Sequence, residues 1–310
     1  MPNGETFLDA FACPACRVAL ERARPDALRC PGCATVWELR DDIWRFLPRD
    51  RAARYERFIA DYQQVRAAER YGSDDAAYYR ALPFAGVGGQ GRAQWRIRAR
   101  SFRVLRDRVI GARAAPLRIV DAGSGNGWLS NQLASLGHHL LAVDLIDNGT
   151  DGLGARRHYQ TRFESAQAEL DHLPLGGGSV DLVVFNASFH YAEDYEASLR
   201  ETLRCVKPGG LVIISDTPWY ASEESGRKML AERRAAFLQS HGIAADAVTA
   251  IGYLTDERLR RMEDALTIHW DVHRPWYGLR WAMRPLMAKL RGRREPSKFR
   301  LYAARKGGRS

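Results

Sequence analysis

Between Leu117 and Asp216 the chain alternates nearly unbroken apolar runs with amphipathic stretches. LRIVDAG (Leu117–Gly123), HLLAVDL (His139–Leu145), VDLVVFN (Val180–Asn186) and LVIISD (Leu211–Asp216) read as strands, with a further strand over Phe163–Leu170. The spacing predicts helices over Trp128–Leu136, closed by Gly137, and over Glu196–Val206, followed by a KPGG turn at Lys207–Gly210. Strands that are apolar on both faces must be covered on both faces, and interleaved helices do this for a parallel sheet. ALTIHWDVH (Ala265–His273) and KFRLYAARK (Lys298–Lys306) supply two last strands. The expectation is an α/β chain with a mostly parallel sheet.

The first of these strands runs straight into VDAGSGNGW. Gly123, Gly125 and Gly127 let the backbone pass close beneath a ligand at the N-terminus of the next helix, where amides and the helix dipole point at its polar end. Asp144 closes the second strand, 23 residues after Asp121, where a carboxylate accepts hydrogen bonds from two ribose hydroxyls. A dinucleotide fingerprint needs a glycine where Trp128 stands, so the turn is not that of a dinucleotide site.

Four of the five cysteines lie in two knuckles, Cys13-Pro-Ala-Cys16 and Cys30-Pro-Gly-Cys33, 13 residues apart. Paired knuckles of this kind let four thiolates converge on one zinc ion, and four cysteine ligands leave no open position for catalysis, so the site is read as structural. Residues 1–48 are expected to form this ribbon, 49–115 a helical cap or flap, and 116–310 the sheet with an insert at 217–264 and a basic aromatic end. Tyr55, Phe58, Ile59, Tyr62 and Val65 give Arg51–Arg70 the stripe of an amphipathic helix, and Trp95, Phe102, Leu105 and Val109 do the same for Gln94–Ile110. Tyr71, Tyr78 and Tyr79 lie in a turn-rich segment that either closes over the site or packs into the core. Helices follow at Glu223–His241 and Asp256–Asp264, with Ser222 and Thr255 as N-caps.

Charge is concentrated at the C-terminal end. Residues 274–310 hold 12 Lys and Arg against the single acid Glu295, which exceeds the net charge of +10 for the whole chain. Within HWDVHRPWYGLRWAMRPLMAKLRGRR (His269–Arg294), Leu279, Met283, Leu286, Met287 and Leu290 fall on one face and Pro285 divides any helix. Such a segment suits an anionic membrane surface, single-stranded RNA, or packing as a lid. No apolar run is long enough to span a bilayer and no secretory signal is visible, so a cytoplasmic protein is expected.

Taken together, VDAGSGNG, VDL, the acidic turn before LPLGGGSVDLVVFN, and LRCVKPGGLVII resemble the class I S-adenosylmethionine-dependent methyltransferases. The resemblance implies a Rossmann-like, seven-stranded sheet. It also implies that Asp121 and Gly123 approach the methionine amino group on a backbone supported by Gly125 and Gly127, and that Asp144 holds the ribose. Glu169 and the Leu170 amide would then meet the adenine, and the methyl group would emerge beside Asn186. Ala187-Ser188-Phe189 follows Asn186, in place of the Pro-Pro-aromatic run of nucleic-acid amino methylators. The ribbon resembles that of bacterial rRNA guanine methyltransferases, which carry a histidine as fourth ligand where this chain has Cys33, and also the small zinc-ribbon activator of translation-related methyltransferases.

Methyl transfer from a sulfonium chiefly requires an acceptor held in line and, where needed, a base. His190 and Asp216 are the foremost candidate bases, with Tyr191, Asp194 and Tyr220 beside them. A small-molecule or lipid-like acceptor is expected. An RNA base recognised through the ribbon and the arginines, or a non-catalytic S-adenosylmethionine-binding module, are the alternatives.

Overall fold

A computed structural model of the chain describes residues 7–68, 72–84, 92–111, 116–242 and 250–307. Tyr71, in the turn-rich segment noted above, lies outside the described residues. The N-terminal ribbon consists of β1 (Glu21–Arg24), β2 (Ala27–Arg29), β3 (Val36–Arg40) and β4 (Ile43–Arg45). Helices α1 (Arg49–Ala68), α2 (Ala76–Ala81) and α3 (Arg92–Val104) follow, and the last turn of α3 widens over Leu105–Ile110. Then come β5 (Arg118–Ala122), α4 (Trp128–Ala134), β6 (His139–Asp144), β7 (Glu164–Gln167), β8 (Val180–Asn186), α5 (Tyr195–Cys205) and β9 (Val206–Ser215). The chain ends with α6 (Glu223–His241), α7 (Asp256–Leu266), β10 (Trp270–His273), α8 (Leu279–Ala282), α9 (Arg284–Leu290) and β11 (Leu301–Arg305).

The expected seven strands form one sheet in the order β7-β6-β5-β8-β9-β11-β10. The first five are parallel, and β11 and β10 close the far edge antiparallel. Strand order reverses between β5 and β8, which opens a crevice at their carboxyl ends. The other edge is not left bare. Trp44 and Arg45 of β4 pair in parallel with Ala166 and Gln167 of β7, so the ribbon continues the sheet.

Burial explains why the two parts join. Phe11 lies 5.8 Å from Trp44 and 4.9 Å from Phe46, and these rings share one core with Val120, Val143 and Phe185. On the other face Trp128 meets Trp95 and Phe102 edge-on at 5.9 Å and packs with Ile119, Leu182 and Ile213.

The sequence reading and the structure part company in two places. Strand β7 is shorter than Phe163–Leu170, because only Leu141–Asp144 of β6 stand opposite it. Strand β9 begins at Val206, so Lys207–Gly210 lie within the strand and not in a separate turn; Gly209 adopts φ 76° and the pairing with β8 shifts register there. Of the two readings for Tyr79, the structure takes packing into the core. It is fully buried, and its hydroxyl donates to the Thr150 carbonyl at 2.7 Å. Among the described residues no helix is long and apolar enough to cross a membrane.

Candidate active site

The glycine turn after β5 is folded back onto β6, with the Gly123 and Ser124 amides donating to the Val143 carbonyl at 2.8 and 3.0 Å. Gly123 has φ +73°, and a Cβ there would stand 2.3 Å from Cβ of Ser188. No other residue fits this crossing. Asp144 pins the same turn from the end of β6. Its Oδ2 accepts from the Gly125 amide at 2.7 Å and its Oδ1 from the Ile146 amide at 2.9 Å. Burial pushes this carboxyl up to about 6. A cleft opens above the turn, lined by Gly123–Asn126, Asp144–Ile146, Ala168, Leu170 and Asn186–Ser188.

The structure thus brings Gly123, Gly125, Asp144, Leu170 and Asn186 together. Three other expected residues stand back from the cleft lining. Asp121 is buried beneath it, where Oδ2 accepts from the Ser130 hydroxyl at 2.8 Å and Oδ1 has no partner. Burial pushes Asp121 up to about 7. Gly127 caps α4 and packs against the Phe163 ring, where a Cβ would come within 3.0 Å. Glu169, expected to meet the adenine, is bonded on another side: Arg51 Nε reaches both its oxygens at 3.1 and 3.0 Å and the Tyr55 hydroxyl donates at 2.7 Å, so the side chain is turned to α1. Its neighbours Ala168 and Leu170 face the cleft in its place.

Helix α1 roofs the cleft. Phe58, Tyr62 and Tyr191 form a triangle of rings with centroids 6.0, 6.5 and 6.1 Å apart. Arg66, one turn on from Tyr62, forms a two-pronged ion pair with buried Asp151, its Nη2 donating to Oδ1 at 2.9 Å. This clamps the helix to the loop after β6.

A second cavity of about 440 Å³ adjoins the cleft. The two share Phe58, Tyr62, Arg66, Arg98, Ala187 and Tyr191, so the aromatic triangle stands at their junction. His190 and Asp216 both line this second cavity. His190 Nδ1 is buried without a partner, and burial, helped by Arg233 and Arg98, pulls the ring down to about 3, so it is neutral at pH 7. Asp216 accepts from the Ser101 hydroxyl through Oδ1, while its Oδ2 is buried without a partner. Burial holds it up at about 6. Ala187 and Asp216, each just past its strand, adopt φ of 56° and 54°, a strained conformation for residues with a side chain.

The remaining candidate bases sort themselves by position. Asp194 caps α5 and accepts from the Glu196 and Ala197 amides, and Tyr220 is buried against Tyr253, so neither lines the cavity. The rest of the cavity wall carries Asp61 and Gln94 beside apolar Ile97, Leu230, Phe237 and Phe299, and is studded with Arg98, Arg233 and Arg234. Arg98 lies 4.6 Å over the Trp95 ring and Arg233 5.1 Å over Phe237. Among the described residues no carboxylate stands in ion-pair range of these three.

The four ribbon thiols converge. Cys13 and Cys33 Sγ are 3.7 Å apart, Cys16 and Cys30 Sγ 3.2 Å apart, and all four sulfurs lie within 4.8 Å of one another. Four sulfurs about 2.3 Å from a tetrahedral ion would be roughly 3.8 Å apart, so the cluster fits zinc. Hydrogen bonds from the Thr35 hydroxyl and amide draw Cys33 down to about 6. Cys205 is buried away from this cluster.

Helix α1 and Asp151 escaped the sequence reading as site residues. The stripe containing Phe58 and Tyr62 was legible, but an apolar stripe does not say whether it covers a core or a ligand.

Residues 120–214 match the family model described as a methyltransferase domain. The malonyl-[acyl-carrier protein] O-methyltransferase of Yersinia pestis is 29% identical over 109 residues, 35% of this chain and 40% of that one. The demethylmenaquinone methyltransferase of Clavibacter sepedonicus is 33% identical over 116 residues, 37% and 46% of the two chains. The chain therefore spans less than half the length of these relatives. A chain from the complex of the Haloferax volcanii Trm112 methyltransferase activator with a methyltransferase superposes with a TM-score of 0.50 at 17% identity, covering 71% of this chain and 95% of that one. Within this chain, the stretch from β5 to β9 is a class I methyltransferase domain of the S-adenosylmethionine-dependent type.

Proposed function

We propose, with that domain as the premise, that the chain transfers a methyl group from S-adenosylmethionine to a small amphiphilic or lipid-like acceptor bearing an acidic group. The observation that supports this most is the junction of the two spaces: the triangle of Phe58, Tyr62 and Tyr191 lines both the cleft and the arginine-bearing cavity. When bound, S-adenosylmethionine supplies an activated methyl group on a positively charged sulfur. Faces of aromatic rings attract such a charge, and the neighbouring walls are apolar. The cleft supplies a glycine turn whose main chain a ligand can approach closely, together with the Asp144 carboxylate and the Leu170 backbone, a set that suits the amino-acid, ribose and base portions of this cofactor.

In this reading the chain's own residues divide the work. Asp144 and the glycine turn hold the cofactor's polar groups, and the α1 roof excludes water. Arg98, Arg233 and Arg234, none of them in ion-pair contact with a carboxylate among the described residues, attract the acidic group of the acceptor while Leu230, Phe237 and Phe299 take its apolar part. Asp216, whose Oδ2 has no hydrogen-bond partner among the described residues, accepts the acceptor's proton, and neutral His190 orients the acceptor by a hydrogen bond. Cys13, Cys16, Cys30 and Cys33 bind a structural zinc ion that fixes the ribbon against the sheet edge.

Transfer of radiolabelled methyl from S-adenosylmethionine into a cell extract, separated into RNA, protein, organic-soluble and small-molecule fractions, tests the reading. Label is expected in the organic-soluble or small-molecule fraction. Label released by ribonuclease would overturn it.

A further inference from the structure

Outside the site, one surface is unlike the rest. Of the large apolar residues that the structure exposes, half lie in the segment from Trp276 to Leu290: Trp276, Leu279, Met283, Leu286, Met287 and Leu290. Leu279 and Leu290 are 76% and 72% exposed. Amides of Met283 and Met287 donate to the carbonyls of Leu279 and Met283, so α8 and α9 run on as one nearly continuous turn sequence. The spacing of these residues then puts the aliphatic side chains along one outward stripe.

The opposite side of the same segment is fastened down. Trp281 stacks on Phe299 at 5.7 Å with the Arg284 guanidinium 3.8 Å from its ring centroid, and Arg100 donates to the Trp276 carbonyl at 3.2 Å. Phe299 is itself a wall of the arginine-bearing cavity. The exposed stripe is therefore a held feature and not a loose end.

Charge decides what fits it. Arg274, Arg280, Lys289, Arg291 and Arg293 are all exposed around the stripe, and from 274 to 294 there is no acidic residue. None of the five is in ion-pair contact among the described residues. An aliphatic stripe rimmed by unpaired cations matches a surface that is apolar within and anionic at its rim. Single-stranded nucleic acid is matched less well, because it stacks on aromatic rings, and Trp276 is the one aromatic ring among these exposed residues.

We propose that α8 and α9 dock the protein on an anionic lipid bilayer, with the aliphatic stripe entering the headgroup boundary and the cations meeting lipid phosphates. This deepens the methyl-transfer reading and rests on it for its purpose: docking sets the cavity behind Phe299 beside a store of lipid-like acceptor. The binding itself needs no methyl transfer.

Vesicle flotation of the full chain tests it, with phosphatidylcholine vesicles and with mixed phosphatidylcholine–phosphatidylglycerol vesicles. Flotation is expected with the mixed vesicles, weakening as salt is raised, and much less with phosphatidylcholine alone. Replacing Leu279, Leu286 and Leu290 together by Ser, all of them exposed, is expected to weaken it about tenfold or more. A second variant, Lys289→Glu with Arg291→Glu and Arg293→Glu, keeps the stripe and is expected to lose the preference for phosphatidylglycerol. Absence of flotation with mixed vesicles, or a triple Ser variant that floats like the parent, overturns the proposal. So does tight binding of a single-stranded RNA that the triple Ser variant retains in place of lipid. Binding of radiolabelled S-adenosylmethionine, measured on the same samples, separates the two ideas. Cofactor binding without flotation removes the docking and spares the methyl-transfer reading, while flotation without cofactor binding does the reverse.

Discussion

The Ser101 hydroxyl stands between Asp216 and Tyr277, donating to Asp216 Oδ1 and lying 2.8 Å from the Tyr277 oxygen. One carboxylate oxygen is thereby fixed and the other is left buried and unpartnered on the cavity wall. The arrangement also links Asp216 to Tyr277, two residues before α8, so the exposed segment and the candidate base share a support.

Asp216 must be ionised to take a proton, and burial holds it up at about 6. We expect kcat to rise with pH through that value. Asp216→Asn should lower kcat roughly a hundredfold or more with S-adenosylmethionine affinity unchanged, and should abolish that limb of the profile. Ser101→Ala removes a hydrogen bond that favours the carboxylate, so it should move the limb to higher pH with a smaller loss of rate. A pH–rate series on the three proteins checks this.

The aromatic triangle predicts a difference between two ligands of almost the same shape. Tyr62→Leu keeps apolar bulk and removes a ring face. It should weaken S-adenosylmethionine about fivefold while leaving the uncharged product S-adenosylhomocysteine nearly unchanged. Titration calorimetry with both ligands decides the matter, and equal losses would rule out attraction for the sulfonium charge.

Arg233 lines the cavity without a carboxylate partner. Once an acceptor is found, Arg233→Gln should raise its KM about tenfold with little change in kcat, because a uniform binding contact acts on ground and transition states alike. A fall in kcat at constant KM would assign the arginine to the chemistry.

Asp121 allows a stability test with a definite sign. Its carboxyl is raised by burial from the usual 3.8 to about 7, so the folded state holds the proton more tightly than the unfolded chain does. Folding is then penalised increasingly as pH rises from about 4 to about 7, and the penalty levels off above that, at a few kcal/mol in order of magnitude. Asp121→Asn carries no such charge. Its melting temperature relative to the parent should climb over that pH interval and then hold steady in the absence of ligand.

Metal analysis of protein purified without chelator should find about one zinc per chain. Less than about half an equivalent would remove the ribbon assignment. Cys16 is exposed, so Cys16→Ser tests the ion with little disturbance of packing; we expect it to lower zinc content and melting temperature together.

The sheet was legible in the sequence because strands such as Val180–Asn186 are apolar throughout and can exist only between covering layers. The glycine turn and Asp144 were legible for a similar reason, since backbone closeness and a carboxylate at a strand end leave few alternatives. The bonding of Glu169 was not legible, because its sequence position fits an adenine contact while its partners, Arg51 and Tyr55, come from a helix more than a hundred residues earlier. No local pattern encodes that pairing. The burial of Asp121 was hidden for a different reason: it adjoins the turn in sequence, yet alternation along β5 turns its side chain down toward Ser130. The division between α8 and α9 was foreseeable from Pro285, whereas the outward direction of their aliphatic stripe depended on Trp281 finding Phe299.

The parallel pairing of Trp44 and Arg45 with Ala166 and Gln167 has a practical side. Anyone trimming this chain at the ribbon to obtain a smaller enzyme would strip β7 of its neighbour and uncover the pocket that Trp44 and Phe46 fill. The product would offer a bare strand rim to every other copy in solution, and it should come out of the cell as inclusion bodies.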